Sequence, residues 1–277
     1  MTPRVLILDS AARLNTAGIP DAATDAALLL SYLTGRDPLM LRMDTDTELS
    51  RNTVSSFQAL LMRRLSREPL QYIIGSVPFY SRFFSVCPDV LIPRNETALL
   101  VEWALQIIGK TDMPKILDLC CGSGCIGITL KKEKPDAVVT MSDLSEKAVA
   151  VARSNAEALD AEVRILQGDL FLPLDQERFD LIISNPPYIP TDECSVLQPE
   201  VMAEPHMALD GGTDGLDFYR RIISAVGTHL EAHGYLMFEV GIGEADAVSD
   251  ILYRSGARNV VVRKDYSGID RMIAAGY

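Results

Sequence analysis

Histidine and tryptophan are nearly missing from this chain of 277 residues, which has three histidines, at 206, 229 and 233, and one tryptophan. Histidines this few and this scattered give no support to a histidine acid–base couple or a histidine-built metal site. Cysteine is sparse as well, with five residues at 87, 120, 121, 125 and 194, an odd set containing no C-x-x-C pair. That pattern implies neither a disulfide frame nor a zinc site, and no metal is expected. No apolar run approaches the roughly 18 residues of a membrane helix, and Val5 to Leu8 is too short for the apolar core of a signal peptide. The expectation is a cytoplasmic protein with no membrane partner. Positive charge is also short, with 26 Lys and Arg against 38 Asp and Glu, a net charge of −12. Without a broad basic surface, a direct nucleic-acid substrate is disfavoured, and the run Arg63, Arg64 and Arg67 reads as the solvated face of an amphipathic helix.

Against these absences, one stretch carries strong chemistry. The apolar run Phe179 to Ser184 ends in Asn185-Pro186-Pro187-Tyr188. The prolines fix φ and remove two backbone donors, so nearby carbonyls stay free to accept from an NH₂ group. Asn185 adds a side-chain oxygen acceptor, and Tyr188 offers a ring face for a flat amide or base. The pattern suits holding a planar nitrogen for methyl transfer.

Upstream, Lys115 to Leu119 reads as a buried strand, followed by a turn with glycines at 122, 124 and 127 and then a helical run to Glu133. Strand, G-x-G-x-x-G turn and helix in that order let a ligand approach backbone amides at a helix N-terminus. Asp143, which ends the next strand (137 to 142), stands where a ribose-binding acid belongs. The spacing alone also fits a dinucleotide fold. Asp118 separates the two, because a carboxylate in the turn would repel a pyrophosphate but attract a cation. S-adenosylmethionine carries an ammonium and a sulfonium and no phosphate. Asp118, Cys120, Cys121, Gly122, Ser123 and Gly124 are therefore the expected cofactor turn, with the cysteines as small buried fillers. Asp143 is expected on the ribose, Asp169 with Leu170 and Phe171 beside the adenine, and Asn185 among the cofactor contacts as well as on the substrate nitrogen.

Residues 1–75 read as helices only, with apolar faces at helical spacing over 21–33 and 53–65. Residues 76–93 turn aromatic and β-branched and read as a β-hairpin linker, a segment placed to line a cleft. From 94 to 277 strands and helices alternate, with helices expected over 96–108, 146–159, 216–231 and 244–255, which implies an α/β domain with a mostly parallel sheet. Asp118, Asp143, Asp169 and Asn185 all fall at carboxyl ends of strands, so they converge on one crevice. The loop from Ile189 to Asp217 is long enough to act as a lid or binding loop.

The residues Arg67-Glu-Pro-Leu-Gln-Tyr-Ile-Ile-Gly75, Leu91-Ile-Pro-Arg-Asn-Glu-Thr97, 118–124, Asn185 to Tyr188, Glu204-Pro205 with the following glycine turn, and Lys264 to Arg271 together resemble the release factor glutamine methyltransferases, also called HemK or PrmC. The resemblance covers nearly the whole chain. It implies a Rossmann-like class I methyltransferase domain behind a helical substrate-docking domain, with S-adenosylmethionine as cofactor and S-adenosylhomocysteine as product. The implied substrate is the glutamine amide of the Gly-Gly-Gln loop in class I peptide chain release factors. Asn185, Pro186, Pro187 and Tyr188 are then the catalytic segment. Asn95 and Ala98 stand where that family carries a proline and an acid. Cys120 stands at a family glycine, so its backbone is expected to avoid positive φ. A ribosomal-protein glutamine methyltransferase shares the motif, an adenine-amino methyltransferase of nucleic acid shares Asn-Pro-Pro-Tyr, and a non-catalytic assembly protein could retain the fold.

Overall fold

The computed structural model describes all 277 residues, and the chain divides into two compact units, Met1–Ser76 with 198–203, and Val77–Leu197 with 204–277.

The first unit is helical: α1 (Pro3–Thr16), α2 (Ala22–Thr34), α3 (Pro38–Met43), α4 (Arg51–Leu65) and α5 (Leu70–Ile74). Local chemistry sets their ends. Asp37 accepts from the amides of Leu39 and Met40 to cap α3, Ser50 accepts from Thr53 to cap α4, and Gly35 in the left-handed region stops α2. Leu6, Leu14, Leu29, Leu30, Phe57 and Leu61 bury fully against one another in the unit's core. The three arginines do not share one solvated face. Arg64 is 4% exposed, with its Nε 2.8 Å from Asp25 Oδ2 and its Nη1 2.7 Å from Glu200 Oε1. Arg67 reaches the other oxygen of Glu200 at 2.7 Å. Charge composition could not reveal this, because the partner Glu200 lies 136 residues away.

In the second unit, β1 (Ser76–Phe79) and β2 (Arg82–Ser85) form the hairpin. Residues 86–93, expected within it, carry no regular structure. The main sheet alternates thereafter: α6 (Asn95–Ile108), β3 (Lys115–Leu119), α7 (Cys125–Glu133), β4 (Val138–Asp143), α8 (Glu146–Ala158), β5 (Arg164–Gln167), β6 (Phe179–Ser184), α10 (Asp217–Ala225), β7 (Leu230–Glu239), α11 (Ala245–Arg254), β8 (Arg258–Lys264) and β9 (Asp270–Gly276), while the short α9 (Pro199–Met202), between β6 and α10 in sequence, belongs to the first unit. The strand order is β5-β4-β3-β6-β7-β9-β8, with β3 to β7 parallel and β9 antiparallel to both neighbours. The expected mostly parallel α/β sheet is present. One expected helix, 216–231, ends early: α10 stops at Ala225, a short 3₁₀ turn follows, and Leu230 already begins β7. The β-structure is favoured there because Leu230, Leu236 and Phe238 bury into the same core as Ile222 and Ile223.

The chain leaves β3 toward β4 on one side and enters β6 on the other, so the order reverses at β3. Leu119 stands in register with Ser142 and with Ser184, which aligns the carboxyl ends of β4, β3 and β6. A crevice outside such a reversal is where ligands of open α/β sheets bind.

Candidate active site

A cleft opens at these strand ends. Cys120 and Gly122 supply its floor, and Asp143, Leu144, Ser145 and Ala148 one wall. Asn185 and Pro187 flank it, and residues 89–91, Pro205, Met207, Ala208 and Phe218 complete it. One part of this wall was not expected, the start of α8; Pro205, Met207 and Ala208 lie in the 189–217 loop read as a lid or binding loop. The linker wall, residues 89–91, lies in the segment read as able to line a cleft. Glu204 ties the linker and the loop together, because its buried carboxylate accepts from the Ile92 amide at 2.8 Å and from the Arg94 guanidinium.

The turn after β3 is held by carboxylates. Asp118 is fully buried, and its Oδ2 accepts from the Gly127 amide at 2.9 Å, in the first turn of α7. Its Oδ1 is buried with no partner. Burial raises the Asp118 carboxyl to about 8, against the pull of the Gly127 amide. Asp143 receives the amides of Gly122 and Ser145, each at 2.9 Å, and burial raises its carboxyl as well. Asp143 thereby joins the glycine turn to the start of α8, which Ser145 caps through the Ala148 amide. Cys120 adopts φ +59°, the left-handed conformation it was expected to avoid. The turn geometry overrides the side chain there: the next amide, of Cys121, donates to Ser142 O on β4 at 3.1 Å, and the strain of a non-glycine residue is accepted to make that bond. Burial pushes the Cys120 thiol upward, which disfavours a thiolate, and its half-buried side chain stands in the cleft floor. Cys121 and Cys125 are buried alongside, and Ser123 and Gly124 carry the turn into α7.

On the adenine side, Asp169 pairs with Arg221 at 2.6 Å rather than lining the cleft. Leu170, at φ +50°, is buried, and Phe171 stacks on His229 at 4.5 Å inside the core.

The Asn185-Pro-Pro-Tyr elbow is fixed from three directions. Asn185 Nδ2 lies 3.4 Å from Thr97 Oγ1, and Thr97 Oγ1 donates to the buried Glu239 Oε2 at 2.6 Å. Asn185 Oδ1 is buried without a partner, and the Pro186 carbonyl accepts no hydrogen bond within the chain. Behind the elbow packs the turn Asp210–Gly215. A Cβ on Gly211 would sit 2.7 Å from Tyr188 Cα and 2.9 Å from Pro187 O. The 189–217 loop closes on itself through Ile189, whose amide donates to Leu209 O at 2.9 Å and whose oxygen receives the Gly211 amide at 2.8 Å. Tyr188 does not line the cleft. Its ring packs toward Gly241 and the core.

Sequence reasoning missed Thr97 and Glu239. Thr97 closes the Leu91–Thr97 motif, and Glu239 is an acid at the end of an apolar strand, which is the one signal that could have marked it.

Residues 6–75 match the family described as PrmC N-terminal domain, and residues 96–212 the Methyltransferase small domain. The release factor glutamine methyltransferase of Geobacter sulfurreducens is 44% identical over 92% of this chain and 90% of its own length. That of Cereibacter sphaeroides is 41% identical over 95% and 94%. The chain belongs to the release factor glutamine methyltransferase family. Its fold is the class I methyltransferase fold, seen also in a methyltransferase from Pyrococcus furiosus (TM-score 0.53, 15% identity, 80% of this chain and 98% of that one). Within this family member, Asp118, Asp143 and Asn185 stand at the ends of adjacent strands, and no helix is long and apolar enough to cross a membrane.

Proposed function

We propose that this protein transfers a methyl group from S-adenosylmethionine to the side-chain amide nitrogen, N5, of the glutamine in the Gly-Gly-Gln loop of class I peptide chain release factors, with the helical unit as docking module. The observation that carries the proposal is a pair of unpaired acceptors, Asn185 Oδ1 and Pro186 O, on an elbow that flanks the cleft.

The cofactor fits the residues present. Asp118 holds a buried oxygen with no partner and a carboxyl raised by burial, a combination that a cationic ligand relieves. Asp143 keeps lone pairs beyond its two amide donors for ribose hydroxyls. Gly122, at φ +53° with open space where a Cβ would lie, lets a ligand approach the backbone. When bound, S-adenosylmethionine supplies an electrophilic methyl carried on a sulfonium.

Asn185 and Pro186 do the positioning. A carboxamide nitrogen is a weak nucleophile because its lone pair is delocalised, so orientation must carry much of the rate. Two acceptors that take both amide hydrogens aim the nitrogen at the methyl. In well-oriented model systems such alignment contributes up to roughly 7–11 kcal/mol. As the nitrogen–carbon bond forms, positive charge develops on the nitrogen, and the same acceptors hold that state more strongly than the ground state. The amide proton then leaves to water, so no dedicated base is required.

The test is incubation with purified release factor and labelled S-adenosylmethionine, followed by fragmentation mass spectrometry of the Gly-Gly-Gln peptide. One methyl on the glutamine is expected. Methylation elsewhere in the factor, or none, contradicts the proposal.

A further inference from the structure

Thr97 has one hydroxyl hydrogen, and the structure commits it. Its oxygen lies 2.6 Å from Glu239 Oε2, an acceptor when ionised, so the hydrogen points there. The remaining lone pairs of Thr97 Oγ1 can only accept, and the group facing them at 3.4 Å must therefore be the Asn185 NH₂. Left to itself, an asparagine amide is nearly two-fold symmetric in shape and turns over at little cost. Here one orientation places the NH₂ on Thr97 and leaves Oδ1 buried and unpaired. Glu239 is buried and its backbone is held: it pairs with Met272 in the sheet, and its carbonyl accepts from the Tyr219 hydroxyl at 2.9 Å.

We infer that Thr97, held by Glu239, is a positioning and specificity-determining residue, locking the Asn185 amide with its oxygen toward the substrate so that the site takes a carboxamide NH₂ and rejects a carboxylate. The inference rests on the proposed glutamine methylation. Asn185 Oδ1 and Pro186 O offer only lone pairs, which bind the two hydrogens of a glutamine amide. A glutamate carboxylate at the same place sets oxygen against oxygen. Without the Thr97 hydroxyl the Asn185 amide can turn over, present its NH₂, and accommodate the carboxylate.

The experiment measures binding of a release factor, and of the same factor with its Gly-Gly-Gln glutamine changed to glutamate, to enzyme saturated with S-adenosylhomocysteine. Wild type is expected to prefer the glutamine form by at least on the order of 10²-fold, the scale of burying a charged group against acceptors with no hydrogen bond to satisfy it. Thr97→Val, which keeps shape and removes the hydroxyl, should shrink that preference by at least about tenfold, the worth of one buried hydrogen bond. Thr97→Ser should keep the preference within about threefold of wild type, because it restores the hydroxyl. Thr97→Ala serves in place of valine if that variant's thermal midpoint falls. Loss of packing alone would weaken both forms alike and leave the ratio unchanged. An undiminished ratio in Thr97→Val, or a ratio lost equally in Thr97→Ser, overturns the relay. Equal binding of both forms by wild type overturns the acceptor site and the relay with it, whereas absence of methyl transfer with discrimination intact counts only against the proposed reaction.

Discussion

Asp118 is a fully buried carboxyl with one oxygen unpartnered. With no cation beside it, burial holds its carboxyl at about 8, so at neutral pH it is mostly protonated. A cationic ligand requires the carboxylate, so its binding at pH 7 should release close to one proton. Calorimetry in buffers of different ionisation heat measures this directly, and affinity should rise as pH approaches 8. The sign for stability runs the other way. A carboxyl raised on folding stabilises the ligand-free protein at acid pH, and that contribution is lost as pH rises from about 4 through about 8. Asp143→Ala should weaken cofactor binding by about 1.5–3 kcal/mol, the value of a hydrogen bond to a charged group. At this scale the sequence was most legible where chemistry is local. Asp118, Asp143 and Asn185 each stand at or near the carboxyl end of a strand, and Asn185 runs straight into two prolines. Asp169 and Phe171 were harder, because their partners Arg221 and His229 come from distant parts of the chain. The φ of Cys120 was misjudged because the turn's amide bond to β4 outweighs the side-chain preference.

Among the elements, the turn 210–215 has the sharpest consequence. It backs the Asn-Pro-Pro-Tyr elbow so closely that a methyl on Gly211 meets only backbone atoms, which cannot rotate away. Gly211→Ala should therefore cost roughly 1–3 kcal/mol of stability and lower turnover, with cofactor affinity preserved, since Asp118 and Asp143 lie on other strands. Urea unfolding and cofactor titration of the variant check both halves. Periodicity revealed β3, β6 and α8 closely, because each carries an apolar pattern bounded by turn residues or caps. It misplaced the end of α10, where a helical spacing of apolar residues runs straight into the buried strand β7. The short helix 199–202 inside the loop was invisible, since four residues carry no period.

In the molecule as a whole, the two compact units are built on different physics. The larger is a sheet whose strand ends assemble the cleft. The smaller is a helical core crossed by a buried ion network, in which Arg64 joins Asp25 to Glu200. Burial raises the Asp25 carboxyl while Arg64 opposes it. At Glu200 burial also pushes up, but Arg67 and Arg64 outweigh it and hold the carboxyl below its usual value. Arg64→Ala should destabilise the helical unit by about 3–5 kcal/mol at neutral pH, since it strands a buried carboxylate. The deficit should shrink in acid, where Asp25 takes a proton; chemical unfolding at two pH values tests this. The alternation of elements after residue 94 was legible, but the place of 198–203 in the helical unit was not, nor were long-range pairs such as Arg64–Glu200 and Thr97–Glu239. Nothing in sequence distance marks which buried charge meets which.

The proposed reaction depends on Asn185 positioning the substrate amide rather than setting cofactor affinity. Its most direct test is Asn185→Ala, with turnover on release factor and S-adenosylmethionine affinity measured on the same preparation. Turnover should fall on the order of 10²–10³-fold, the scale of a lost transition-state hydrogen bond, with affinity nearly unchanged. Unchanged turnover, or a loss explained entirely by weaker cofactor binding, would contradict it.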